Sequence, residues 1–102
     1  MKSFLISDNR DTVVGMRLGG IDGVIVKKRD DILQKLRELV NHKDIGIIII
    51  TENIHNKVED EVMTLKTKRD FPLIVTIPDR HGFGDDSDFI TKYIKESIGL
   101  NI

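Results

Sequence analysis

Six consecutive apolar positions, Ile45-Gly46-Ile47-Ile48-Ile49-Ile50, bounded by Asp44 and by Thr51-Glu52, constrain this chain more than any other feature. A strand with one wet face alternates apolar and polar residues, and this one is apolar on both faces. That pattern belongs to an interior strand of a parallel sheet covered by helices on each side. The isoleucines reinforce it, because a β-branched side chain suits a pleated strand and crowds a helix. The run is too short to cross a bilayer, which takes about 20 apolar residues. It reads as the third strand and the middle of the sheet.

The neighbouring segments repeat a strand–helix alternation. Ser3 to Ser7 forms the first strand, with Phe4, Leu5 and Ile6 all apolar, so it is interior too. Asp8-Asn9-Arg10-Asp11 breaks it and supplies N-cap chemistry for a short helix. In that helix Val14, Leu18 and Ile21 fall at i, i+4 and i+7, which predicts one buried stripe. Gly15 bares the backbone mid-helix, so either the sheet beneath or a partner outside is expected to approach it closely. Gly19-Gly20 and Gly23 then turn the chain into a second strand, Val24-Ile25-Val26.

Asp30-Asp31 is expected to cap a second helix with Ile32, Leu33, Leu36, Leu39 and Val40 at helical spacing. After the central strand, Ile54, Val58, Val62 and Leu65 predict a single third helix. Leu73 to Ile77, between Pro72 and Pro78, is the fourth strand. A C-terminal helix capped near Asp86-Ser87-Asp88 carries Phe89, Ile90, Tyr93, Ile94 and Ile98, and Gly99 stops it. Crossovers of this length permit only parallel connection, and they are right-handed. The expected fold is therefore a single α/β domain over residues 1–102. Its four-stranded parallel sheet has order 2-1-3-4 with helices on both faces, in the flavodoxin- or Rossmann-like manner, and residues 86–102 form a docking segment.

Composition narrows the function by exclusion. Sixteen basic residues against seventeen acidic ones give a net charge of −1, with no basic excess for nucleic acid or anionic lipid. There is no cysteine, which removes disulfides, thiolate metal sites and thiol chemistry. The opening Met1-Lys2-Ser3-Phe4-Leu5-Ile6 reads as a strand rather than a leader, so a cytoplasmic location without membrane insertion is expected.

Ligands of such sheets bind beyond the carboxyl ends of the strands, where the sheet order reverses. Here that edge is expected to be lined by Ser7, Asp8, Asn9, Thr51, Glu52 and Asn53, a poor anion cradle with acids and no phosphate-binding glycines. A phosphoacceptor receiver would need an Asp ending the third strand and a Lys after the fourth, where Thr51-Glu52 and Pro78-Asp79 stand. His42, His55 and His81 share no ligand spacing, and Asp85-Asp86-Ser87-Asp88 lacks the calcium-loop pattern. No catalytic residue, cofactor or metal is expected.

Four stretches carry a resemblance. They are Asp11-Thr12-Val13-Val14-Gly15-Met16-Arg17-Leu18-Gly19-Gly20-Ile21; Ile45-Gly46-Ile47 running to Thr51-Glu52; Pro72-Leu73-Ile74-Val75-Thr76-Ile77-Pro78 with Gly82 beyond; and Ser97-Ile98-Gly99-Leu100-Asn101-Ile102. In this order they resemble the F subunit of the V-type (A/V-type) ATPase in its prokaryotic form. Met16 stands where that family usually has an aromatic residue, and Gly19 where it usually has Ala. The resemblance implies a non-catalytic central-stalk subunit, peripheral to the membrane. It would bind the coiled coil of the D subunit and turn with it inside the A/B catalytic ring, beside other stalk subunits, coupling ATP hydrolysis or synthesis to ion transport. The partner interface expected on that basis comprises Gly15, Met16, Gly19, Tyr93, Leu100 and Ile102. The competing class is a stand-alone signalling or small-ligand module of the same topology.

Overall fold

The molecule is described from a computed structural model, which covers residues 1–69 and 72–78. The elements run β1 (Lys2–Ser7), α1 (Arg10–Leu18), β2 (Asp22–Ile25), α2 (Arg29–Val40), β3 (Ile45–Thr51), α3 (Glu52–Lys57), α4 (Glu59–Lys68) and β4 (Leu73–Ile77). The four strands form one parallel sheet in the order β2-β1-β3-β4.

β3 lies inside that sheet, with Ile48, Ile49 and Ile50 all fully buried. Its alternate side chains serve two cores, as a strand with no wet face requires. Ile48 and Ile50 join Ile6, Ile32, Leu36, Ile54, Val58 and Val62 beneath α2, α3 and α4. Ile49 joins Leu5, Val13, Met16, Val75 and Ile77 on the face that α1 occupies. Side-chain ties hold the larger layer at its rim. Arg29 pairs with Glu61, Lys57 donates to the Lys27 carbonyl at 2.9 Å, and Arg69 to that of Val40 at 3.3 Å.

Three local expectations are corrected. β2 starts at Asp22 rather than Val24, because pairing with β1 runs from Phe4↔Asp22 to Ser7↔Ile25. Gly23 permits that register, since a Cβ there would lie 3.0 Å from Leu5 Cβ and 3.2 Å from the Leu5 carbonyl. α2 starts at Arg29 with Lys28 as its N-cap and no side-chain cap bond. Asp30 and Asp31 occupy its first turn instead, where the helix dipole favours negative charge. The expected third helix is two helices broken at Val58, whose φ of −135° is not helical. The apolar stripe survives the break, because Ile54, Val58 and Val62 all remain fully buried.

The phase of α1 also differs from expectation. Thr12, Val13 and Met16 face the sheet, while Val14 is 47% and Leu18 82% exposed. The cause lies at the helix end. Gly20 adopts φ +88°, its N–H bonds the Arg17 carbonyl at 3.0 Å, and the Ile21 N–H bonds that of Met16 at 2.9 Å. This pair of bonds is a Schellman turn. It reverses the chain before Ile21, so the periodic count from Val14 through Leu18 does not carry on to Ile21. Ile21 reaches the core from the turn, against the cluster that holds Met16.

Candidate functional site

At the carboxyl edge of the sheet, two of the residues expected there, Ser7 and Asn9, are engaged in starting α1. Asn9 is the N-cap of α1, and its Oδ1 accepts from the Asp11 N–H at 2.8 Å and the Thr12 N–H at 3.3 Å. Ser7 Oγ accepts from the Asn9 N–H at 2.9 Å and donates to the Asn9 carbonyl at 3.3 Å. With Asn9 satisfying two of them, the N–H groups that open α1 offer a reduced cradle to a phosphate. Thr51 precedes α3 as its N-cap, yet its hydroxyl makes no cap bond. Thr51 Oγ1 and Asp8 Oδ1 are both buried without a hydrogen-bond partner.

The histidines do not converge among the described residues. His42 Nδ1 accepts from the Asp44 N–H at 3.2 Å at the start of β3, and His55 Nδ1 lies 3.1 Å from Thr76 Oγ1 on the opposite edge. His81 lies outside the described residues. Among the described residues no group of three or more His, Cys, Asp or Glu side chains is placed to hold a metal ion.

Of the residues expected at a partner interface, the structure describes Gly15, Met16 and Gly19. Met16 is buried in the chain's own core beside Ile49 and Val75, so it presents no exposed apolar contact. Gly15 and Gly19 lie on α1 and at its C-cap. Within 4 Å of where a Gly15 Cβ would stand there is no atom of the described residues, so the sheet is not what approaches its backbone. Tyr93, Leu100 and Ile102 fall outside the described residues, as does the whole expected C-terminal helix.

Two surface features go beyond what the sequence pattern conveys. Val14 and Leu18 project outward from α1 as an exposed aliphatic pair, although their spacing alone suits burial in the core. Between α2 and α4 runs a groove of about 530 Å³ lined by Leu33, Leu36, Val40 and Leu65 with Arg37 and Glu61. Leu36 at its floor belongs to the core, and Leu33, Val40 and Leu65 are partly buried against that core.

Fold and site together define a small doubly wound α/β domain with an acidic, hydroxyl-lined carboxyl edge and an exposed aliphatic pair on α1. The chain matches the ATP synthase (F/14-kDa) subunit family over residues 4–94, and it belongs to that family. It is 33% identical over 103 residues to the A-type ATP synthase F subunit of Methanocaldococcus jannaschii, covering 100% of this chain and 99% of that protein. It is 34% identical over 104 residues to the protein of the same name from Methanococcus aeolicus, with 100% and 99% covered. Among solved structures, the V-type ATP synthase F subunit of Archaeoglobus fulgidus superposes with a TM-score of 0.57 at 20% identity. That superposition covers 74% of this chain and 95% of the other, and it bears on the fold alone. No helix of the described residues is long and apolar enough to cross a membrane.

Proposed function

We propose that this chain is a non-catalytic central-stalk subunit of an A/V-type ATPase. It binds the coiled coil of the D subunit, turns with it inside the A/B ring, and couples ATP hydrolysis or synthesis to ion transport from the cytoplasmic side of the membrane. The observation that carries the reading is the match to A-type F subunits along 100% of the chain, which ties the whole domain, rather than a module within it, to that assembly.

A rotor subunit of this kind needs a rigid body and a surface for its partner. The two-faced aliphatic sheet supplies the first. For the second, Val14 and Leu18 supply apolar area on the outer side of α1, next to the bare backbone of Gly15. Leu100 and Ile102 extend the same role to the tail, while Met16 supports α1 from beneath. Co-expression with the D subunit of the same genome, followed by size-exclusion chromatography, tests the reading. A stable one-to-one complex is the expected result. Separate elution of the two chains at micromolar concentration would overturn it.

A further inference from the structure

Connecting parallel strands, the helices of this fold return from the carboxyl edge of the sheet to its amino edge. Charge is distributed along the same axis, which a net charge of −1 conceals. Around the amino edge stand Lys2 at the start of β1, Lys43 before β3, and Lys66, Lys68 and Arg69 at the end of α4, all of them exposed. Two hydrogen bonds draw these segments together. The Lys2 N–H donates to the Asp44 carbonyl at 2.7 Å, and the Arg69 guanidinium donates to the Val40 carbonyl of α2 at 3.3 Å. The described acids on this side are Asp44, Asp22 at the β2 edge, and Glu38, which pairs with Lys35. Lys66, Lys68 and Arg69 suit the negative end of α4. Lys2 and Lys43 lie outside any helix, so dipole compensation does not account for the whole cluster.

The carboxyl edge has the opposite balance. Asp30 and Asp31 lie in the first turn of α2, Glu52 in that of α3, and Glu59, Asp60 and Glu61 in that of α4. Against them stand Lys27, Lys28 and Lys57, with Arg29 committed to Glu61. Arg10 is flanked in sequence by Asp8 and Asp11. Among the described residues the domain is therefore positive at one pole and negative at the other.

The positive pole also holds an apolar recess. A shallow cavity of about 310 Å³ is lined by Lys66 and Arg69 together with Pro72, Leu73 and Ile74, and Leu73 is 43% exposed in it.

We infer that this amino-edge face docks an acidic protein segment that carries an apolar side chain. The cations meet its carboxylates, and the cavity beside Leu73 takes the apolar group. Three observations select a protein over other anions. The chain belongs to a family of ATP synthase subunits, so its neighbours are protein chains. Its acidic opposite pole leaves no net attraction toward an extended polyanion such as nucleic acid or an anionic bilayer, whereas a two-pole distribution orients the domain on a local acidic patch. An apolar recess rimmed by charge matches the core-and-rim build of protein interfaces, and a phosphate backbone has nothing to place in it. The inference rests on membership of the complex and not on the D subunit being the partner.

Titration of the full-length chain with a short peptide of glutamates around a central leucine, followed by nuclear magnetic resonance, tests it. At low salt the backbone amides of Lys2, Lys43, Lys66, Lys68 and Leu73 are expected to shift, and those of Asp30 and Glu52 to stay in place. Raising the salt to about 0.3 M, or introducing Lys43→Glu with Lys68→Glu, is expected to weaken binding at least about tenfold. No binding, shifts centred on Lys27 and Lys28, or tighter binding to duplex DNA or phosphatidylglycerol vesicles overturns the inference. A second measurement uses the assembly, with the ATPase subunits of the same genome co-expressed with each form of this chain. The Lys43→Glu/Lys68→Glu chain is expected to leave the immobilised complex at lower salt than wild type, and a Lys27→Glu/Lys28→Glu chain to be retained like wild type. Equal retention of all three, or equal loss of both variants, overturns it. Failure of the wild-type chain to join the complex would count against the stalk reading, and the peptide titration alone would then decide the inference.

Discussion

At the scale of single residues, two substitutions measure what the local surroundings demand. A methyl group at Gly15 would meet none of the described residues within 4 Å, and glycine inside a helix costs roughly 0.5–1 kcal/mol relative to alanine. Gly15→Ala is therefore expected to stabilise the isolated protein by about that amount, raising Tm by about 2–8 °C for a domain of this size. A lower Tm in thermal unfolding would show that something packs against that backbone. Thr51 presents the reverse case. Its hydroxyl is buried and unpaired, and an unsatisfied buried group costs roughly 1–3 kcal/mol. Thr51→Val removes the polar atom and keeps the branched shape, so a rise in stability of about 1 kcal/mol is expected from urea unfolding. A loss of stability would mean that the hydroxyl has a partner in solution.

At the scale of elements, β3 shows what the sequence made legible. Its consecutive isoleucines leave no polar face, so interior placement, parallel pairing and the order β2-β1-β3-β4 follow from hydropathy and handedness alone. Where only phase or continuity separated alternatives, the sequence was less informative. Val14 and Leu18 have core spacing in a helix too short for the period to be tested, and the Schellman turn at Gly20 ends it before Ile21. The break at Val58 is hidden because the apolar stripe continues through it. Burial of a hydroxyl such as that of Thr51 depends on distant neighbours such as Ile77 of β4, its register partner, which no local pattern encodes. The central strand also carries the sharpest stability expectation. Ile48→Asp would place a carboxylate in the core beneath α2 to α4, and Ile49→Asp in the core beneath α1. An unpaired buried charge costs several kcal/mol even after relaxation, comparable to a whole domain stability of roughly 5–15 kcal/mol. Either variant is expected to be unfolded or aggregated by circular dichroism, and a native-like melt of either would remove β3 from the centre of the fold.

At the scale of the whole molecule, the question is which surface a component of an ATP synthase turns toward its neighbours. At the acidic carboxyl edge, where folds of this class bind small ligands, Ser7 and Asn9 are engaged in capping α1, whereas the outer side of α1 offers exposed aliphatic area for assembly. Leu18 is the decisive position, because its 82% exposure separates binding from folding. Burying a leucine side chain against a partner is worth roughly 1.5–3 kcal/mol, and each 1.4 kcal/mol is a factor of ten in Kd. Leu18→Asp forfeits that burial and adds the cost of desolvating a carboxylate. If the chain binds the D subunit as proposed, this variant is expected to weaken that binding by at least about tenfold. In the isolated chain the same side chain stands in water, so Tm should move by no more than a few degrees, as for ordinary surface substitutions within about 0.5 kcal/mol. Calorimetric titration of the variant into the D subunit, beside a melting curve of each free protein, reads both quantities. Unchanged affinity would move the contact away from α1, toward the α2–α4 groove or the tail with Leu100 and Ile102. A lowered Tm with unchanged affinity would show instead that Leu18 serves the fold.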